Sequence, residues 1–76
     1  MRYAAPGYVL IESPEVHNSS GQYMGKVIGG VDNEKFALYF LSNGGRVFFL
    51  EGKTYHSIPL SNILIFWDVE NSDQLP

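Results

Sequence analysis

The residues best suited to chemistry lie in one short stretch, Asp32-Asn33-Glu34-Lys35-Phe36, where a polar turn hands over to an apolar run. A lysine beside an aromatic ring at such an exit can neutralise a phosphate while the ring stacks on a base. Lys35 and Phe36 are therefore the leading candidates for nucleic-acid contact. Tyr8, Tyr23, Tyr39, Tyr55 and Trp67 are further candidate stacking platforms, whereas Phe40, Phe48, Phe49 and Phe66 are expected in the core. Lys26, Arg46 and Lys53 are candidate contacts to backbone phosphates.

Other chemistries fit poorly. Gly52-Lys53-Thr54 has the ending of a phosphate-binding loop, but that loop needs a glycine five positions before Gly52, where Val47 stands. With apolar runs on both sides it reads as a hairpin turn. His17 and His56 are the only histidines and have no metal-ligand spacing, so no metal or cofactor is expected. The carboxylates fall mainly in turns and at the C-terminal end, and no serine carries a nucleophile-elbow motif. No catalytic role is filled, and the chain is expected not to be an enzyme.

The elements that must position these residues are strands. Phe36 to Leu41, Val47 to Leu50 and Ile63 to Trp67 are short runs rich in aromatic and β-branched side chains. Tyr8 to Glu12 reads as a first strand ended by Ser13-Pro14, and Tyr23 to Val31 as a second, whose glycines at 25, 29 and 30 mark a bend or bulge. Asn43-Gly44 is a strong hairpin signal, so Arg46 to Leu50 is expected to fold back on the 36–41 strand. Glu51-Gly52-Lys53 is a second tight turn into Thr54 to Ile58. Pro59 ends that strand, and Leu60-Ser61-Asn62 forms a corner before the last one. The fold class expected is all-β: a small SH3-like barrel of five to six short antiparallel strands over 8–69, without an N-terminal helix. Residues 1–7 form an arm and residues 70–76 an acidic tail.

Residues alternate sides along a strand, so in the last run Ile63, Ile65 and Trp67 oppose Leu64 and Phe66, and both faces are apolar. A lone antiparallel sheet covers one face only, and too little chain remains to lay helices over the other. The second apolar face is expected to meet another copy or a partner. Length points the same way. A chain of 76 residues buries roughly 60 % of its unfolded surface and, with no cysteine, cannot be stapled by disulfides.

The formal charge of −3 does not describe a protein given wholly to coating nucleic acid. The acid is concentrated at the end: Asp68, Glu70 and Asp73 stand there without a cation, while residues 24–66 hold four cations against three acids. No apolar stretch is long enough for a signal peptide or a membrane span, so the chain reads as intracellular and cytoplasmic, and Asn18-Ser19-Ser20 as a polar loop.

The order of elements resembles the Sm/LSm family, which includes the Hfq-type proteins. The likeness rests on Tyr8-Val9-Leu10-Ile11, on Gly25-Lys26-Val27-Ile28-Gly29-Gly30-Val31-Asp32, on Phe36 to Leu41 and on Ile58-Pro59-Leu60-Ser61-Asn62-Ile63. It implies a homo-oligomeric ring, built by pairing edge strands of successive subunits, with single-stranded RNA or DNA at the pore. Carried over, the contacts become Asp32, Asn33, Lys35, Phe36, Ser61 and Asn62. Phe36 stands where typical members have a base-reading asparagine, and the family's Arg-Gly and Lys-His pairs are missing, so the resemblance carries the ring rather than a uridine preference. The alternative is a protein-interaction or structural module of the same barrel type that binds no nucleic acid.

Overall fold

The computed structural model describes residues 4–69. Six strands, β1 (Tyr8–Val16), β2 (Gln22–Gly29), β3 (Lys35–Phe40), β4 (Arg46–Leu50), β5 (Lys53–Pro59) and β6 (Ile63–Asp68), form one antiparallel sheet in the order β4-β5-β1-β2-β3-β6. The fold is all-β, as the strand-sized apolar runs require. No helix among the described residues is long and apolar enough to cross a membrane. The molecule measures 29 × 27 × 25 Å, and a flat sheet would be only about 10 Å thick, so the sheet is strongly curled. Most of the 1–7 arm and the strands lie in view, but Met1 to Tyr3 and the 70–76 tail fall outside the described residues.

Curling is built into the β1–β2 pair. Ser13 and Pro14 together oppose Gly25, so the first strand does not stop at Ser13-Pro14 but runs through a bulge to Val16. Ser13 takes a left-handed backbone at φ 50°, and a Cβ on Gly25 would run into the Ile11 side chain and approach Pro14 Cα at 3.2 Å. Glycine is needed where the bulged strand presses closest.

The connection from β3 to β4 departs from the sequence expectation. Asn43 and Gly44 do have the positive φ of a tight turn, 62° and 107°, yet β4 does not fold back on β3. β6 takes the edge of β3 instead, pairing Phe36 with Trp67 and Leu38 with Ile65. The Asn62 side-chain amide donates to the carbonyls of Phe40 at 3.0 Å and Ser42 at 2.5 Å, which ties the Leu60–Asn62 3-10 turn to the end of β3. The chain leaves past Pro59, against which Gly44 is seated, and makes its hairpin later. There Glu51 and Gly52, at φ 53° and 82°, join β4 to β5.

The core lies inside the curl: Val9 and Ile11 of β1, Val27 of β2, Ala37 and Tyr39 of β3 and Ile58 of β5. Tyr39 and His56 are buried with it and solve each other's polarity, with Tyr39 Oη 2.8 Å from His56 Nδ1. Tyr23 stacks on Tyr39 and meets the His56 ring edge-on, with centroids 6.1 and 5.2 Å apart. Burial pushes the Tyr39 hydroxyl pKa up and the His56 imidazole pKa down, because each charged form would lose water.

Tyr39→Phe strands His56 Nδ1 in the core and is expected to cost about 1–2 kcal/mol in urea unfolding. The unfolded chain protonates His56 near its ordinary pKa of 6.5 and the folded chain only lower. Its contribution to stability is therefore complete above that pH and declines as the pH falls below it. Urea midpoints at about pH 7.5 and about pH 5.5 check this, and the decline is expected to shrink in His56→Gln.

Candidate functional site

The six residues singled out for nucleic-acid contact fall into two groups. Asp32 and Asn33 are exposed in the bend before β3, and Lys35 and Phe36 open that strand, so these four gather at one end of it. Ser61 and Asn62 belong to the 3-10 turn at the opposite end, about 17 Å away for a strand of this length. Asn62 is committed to the carbonyls of Phe40 and Ser42. The structure thus does not join the turn before β3 and the corner before β6 into one site.

Around Phe36 a different arrangement is built. Register places Phe48, Tyr55, Glu12, Lys26, Phe36 and Trp67 in one row across all six strands, on the face turned away from Ile11 and Ala37, with Tyr55 buried within it. An aromatic pair stands at each end: Phe48 and Tyr55, centroids 6.0 Å apart, and Phe36 and Trp67, 5.7 Å apart at an interplanar angle of 27°. Beside the β1 bulge, Glu12, Ser13, Glu15, Met24, Lys26 and Phe36 help line an open recess of about 260 Å³. The strained Ser13 backbone forms part of its wall.

Its electrostatics are closer to balanced than basic. Lys26 Nζ is 2.7 Å from Glu34, whose hydrogen bond and charge raise the lysine pKa. Lys35 pairs with Asp68 across β3 and β6 at 3.2 Å, and Lys53 with Glu12 at 3.4 Å. The Arg46 guanidinium donates to the carbonyl of Gly45. Three of the four candidate cations already face a carboxylate. A phosphate arriving here competes with protein acid for each of them, although solvent-exposed pairs of this kind are weak.

No family model, curated protein or solved structure matches this chain. The site therefore has to be read from its own geometry. No group of three or more histidine, cysteine or carboxylate residues suited to a metal occurs among the described residues.

Exposure redistributes the aromatic residues. Tyr39 and Tyr55 are buried and cannot serve as stacking platforms, while Phe49, expected in the core, is 72 % exposed and Phe66 37 % exposed. β4 and β6 end the sheet, each with a neighbour on one side only, so their inward-pointing side chains lie where the curled core runs out. Val47, Phe49 and Leu50 of β4 and Leu64, Ile65 and Phe66 of β6 are all exposed. Sequence reading found the two-faced character of the 63–67 run but placed β4 inside the sheet, on the strength of Asn43-Gly44. Trp67 adds a further irregularity: its Nε1 is buried without an acceptor among the described residues.

Gly25→Ala tests the construction of the recess. A methyl there must displace Ile11 or the bulged backbone at Pro14, and the expected loss is about 1–3 kcal/mol in denaturant unfolding.

Proposed function

We propose that this protein is a self-assembling β module that associates with copies of itself along its two open edge strands and closes into a ring. The observation that carries this reading is the pair of exposed apolar edges, β4 and β6, at opposite ends of one sheet. Soluble monomers blunt such edges with central charges, prolines or bulges that turn them away. Here the only charges within the two strands are Arg46 and Asp68, at a terminus of each, neither strand contains proline, and the one bulge, at Leu64, lies next to the end of β6 that follows the 3-10 turn. Pairing would satisfy the unpaired backbone groups and cover the side chains that the core leaves out. The ring implied by the resemblance to the Sm/LSm family is an assembly of this kind.

Nucleic-acid binding is a second reading, favoured by the Phe36–Trp67 stack with Lys26 and Lys35 in adjoining positions. Single-stranded RNA or DNA would lay a base on this aromatic end while its phosphates compete with Glu34 and Asp68 for the lysines. It ranks second because those lysines are already paired.

Light scattering over a dilution series is expected to give a mass several times the 8.5 kDa of one chain. Phe49→Lys is expected to lower that mass while changing the stability of the single chain by no more than about 0.5 kcal/mol, because the residue is mostly solvent-exposed. A chain that stays folded and single at every concentration would overturn the proposal. For the second reading, Phe36→Ala should weaken capture of labelled single-stranded RNA by about 1–3 kcal/mol and Lys35→Glu should flatten its salt dependence. Binding unchanged in both variants removes the aromatic end as the site.

A further inference from the structure

We propose that Asn43-Gly44 is a site of spontaneous modification, at which the turn leading into β4 converts from asparagine to aspartyl and isoaspartyl forms. The Gly44 backbone nitrogen attacks the Asn43 side-chain carbonyl: the N–Cγ bond forms, the Cγ–Nδ2 bond breaks, and the amide proton leaves, by way of solvent, with the side-chain nitrogen as ammonia. Water then opens the cyclic imide. Attack at Cγ restores the original backbone and leaves an aspartate, whereas attack at the main-chain carbonyl leaves the chain routed through Cγ as isoaspartate. Nothing is oxidised or reduced.

Three observations single out this asparagine. Gly44 has no side chain to crowd its nitrogen, and among the described residues its amide donates to no backbone carbonyl. The attacking group is therefore open. The Asn43 side chain is exposed and makes no hydrogen bond among the described residues, while Asn18 is tied to Gln22 and Ser20 and Asn62 to the carbonyls of Phe40 and Ser42. Asn33 is exposed as well, but the side chain of Glu34 shields the nitrogen that follows it. The third observation is topological. An Asn-Gly pair at the tip of a hairpin is clamped by the ladder on either side of it, and here β4 pairs with β5 alone. No β3–β4 ladder resists the rotation about the Asn43 Cα–C bond that brings the two reacting atoms together.

The surroundings say what the conversion does. On one side of the pair the Ser42 carbonyl is held by Asn62, and on the other a Cβ on Gly45 would run into the Leu41 carbonyl, so both flanks are fixed. Gly44 itself is seated against Pro59. Isoaspartate inserts an extra methylene into the main chain between these fixed points. The added length strains the tie between the 3-10 turn and the end of β3, and it displaces the start of β4 at Arg46. Either product also adds one negative charge to a chain that already carries −3.

Trypsin isolates the site, because cleavage after Lys35 and Arg46 releases Phe36–Arg46 with Asn43 as its only asparagine. The full chain is held in mildly alkaline buffer, which favours loss of the amide proton, and samples are digested at the start and at intervals. The Phe36–Arg46 peptide is expected to gain about 1 Da and to split into two chromatographic species, aspartyl and isoaspartyl, absent from the first sample. The peptides carrying Asn18 and Asn33 should keep their masses. A synthetic peptide of residues 36–46 runs alongside. If it converts fully while Asn43 in the folded chain stays intact, the fold clamps the turn and the inference fails. Equal conversion at Asn18 or Asn33 overturns it too, since the geometry would then select nothing. The isoaspartyl chain, separated by ion exchange, is expected to unfold at a lower urea midpoint than Asn43→Asp, which has the same charge without the extra methylene. Equal midpoints would overturn the effect assigned to the fixed flanks.

Discussion

The placement of β6 along β3 is the constraint on which the rest of this structure depends. Once Trp67 stacks on Phe36 and Asn62 ties the 3-10 turn to the last carbonyls of β3, the β3 edge is closed to β4. The 46–50 segment can then pair only with β5, and the sheet must end in two apolar strands. The curl imposed by the β1 bulge brings the middle strands around a core of aliphatic side chains and Tyr39. That core is wide enough for Tyr39 and His56 to pair inside it but too small to take in Phe49 or Phe66. The exposed edges follow from the topology rather than from any excess of apolar residues.

Charge placement gives the outer face its restrained character. Lysines 26 and 53 come from two different strands of this face, and each has a carboxylate reached across the sheet or from the adjoining turn, while Lys35 is paired with Asp68 on the other side of β3 and β6. These pairs help to hold register on a surface that also carries two stacked aromatic couples. They also keep the face from presenting the continuous basic stripe of a dedicated nucleic-acid binder.

Much of the fold was legible in the sequence. Runs such as Val47 to Leu50 and Ile63 to Trp67 carry residues that fit a pleated ladder, and their lengths exclude comfortable helices. The glycines of the second strand announced the bend, and Gly25 stands opposite the bulge. The partner of β4 was not legible. Asn43-Gly44 reports local backbone conformation, which it does adopt, while the choice between β4 and β6 for the edge of β3 is made by residues distant in sequence. That one difference accounts for the aromatic reversals, since Tyr55 has a strand on either side and Phe49 belongs to a strand with a single neighbour. The candidate site was legible in part. Lys35 and Phe36 stand where a turn enters a strand, but nothing local told that Asn62 would be spent on the backbone or that Lys35 would find Asp68.

Trp67 is the only tryptophan in the chain, and it sits on the terminal strand of the sheet with its indole nitrogen sheltered and without an acceptor among the described residues. Its fluorescence is thus an intrinsic gauge of that margin of the molecule, free of background from any other indole. A strand laid against the margin would alter the polarity around the ring and shield it from collisional quenchers. The protein carries its own optical label at the place where its chemistry is least complete.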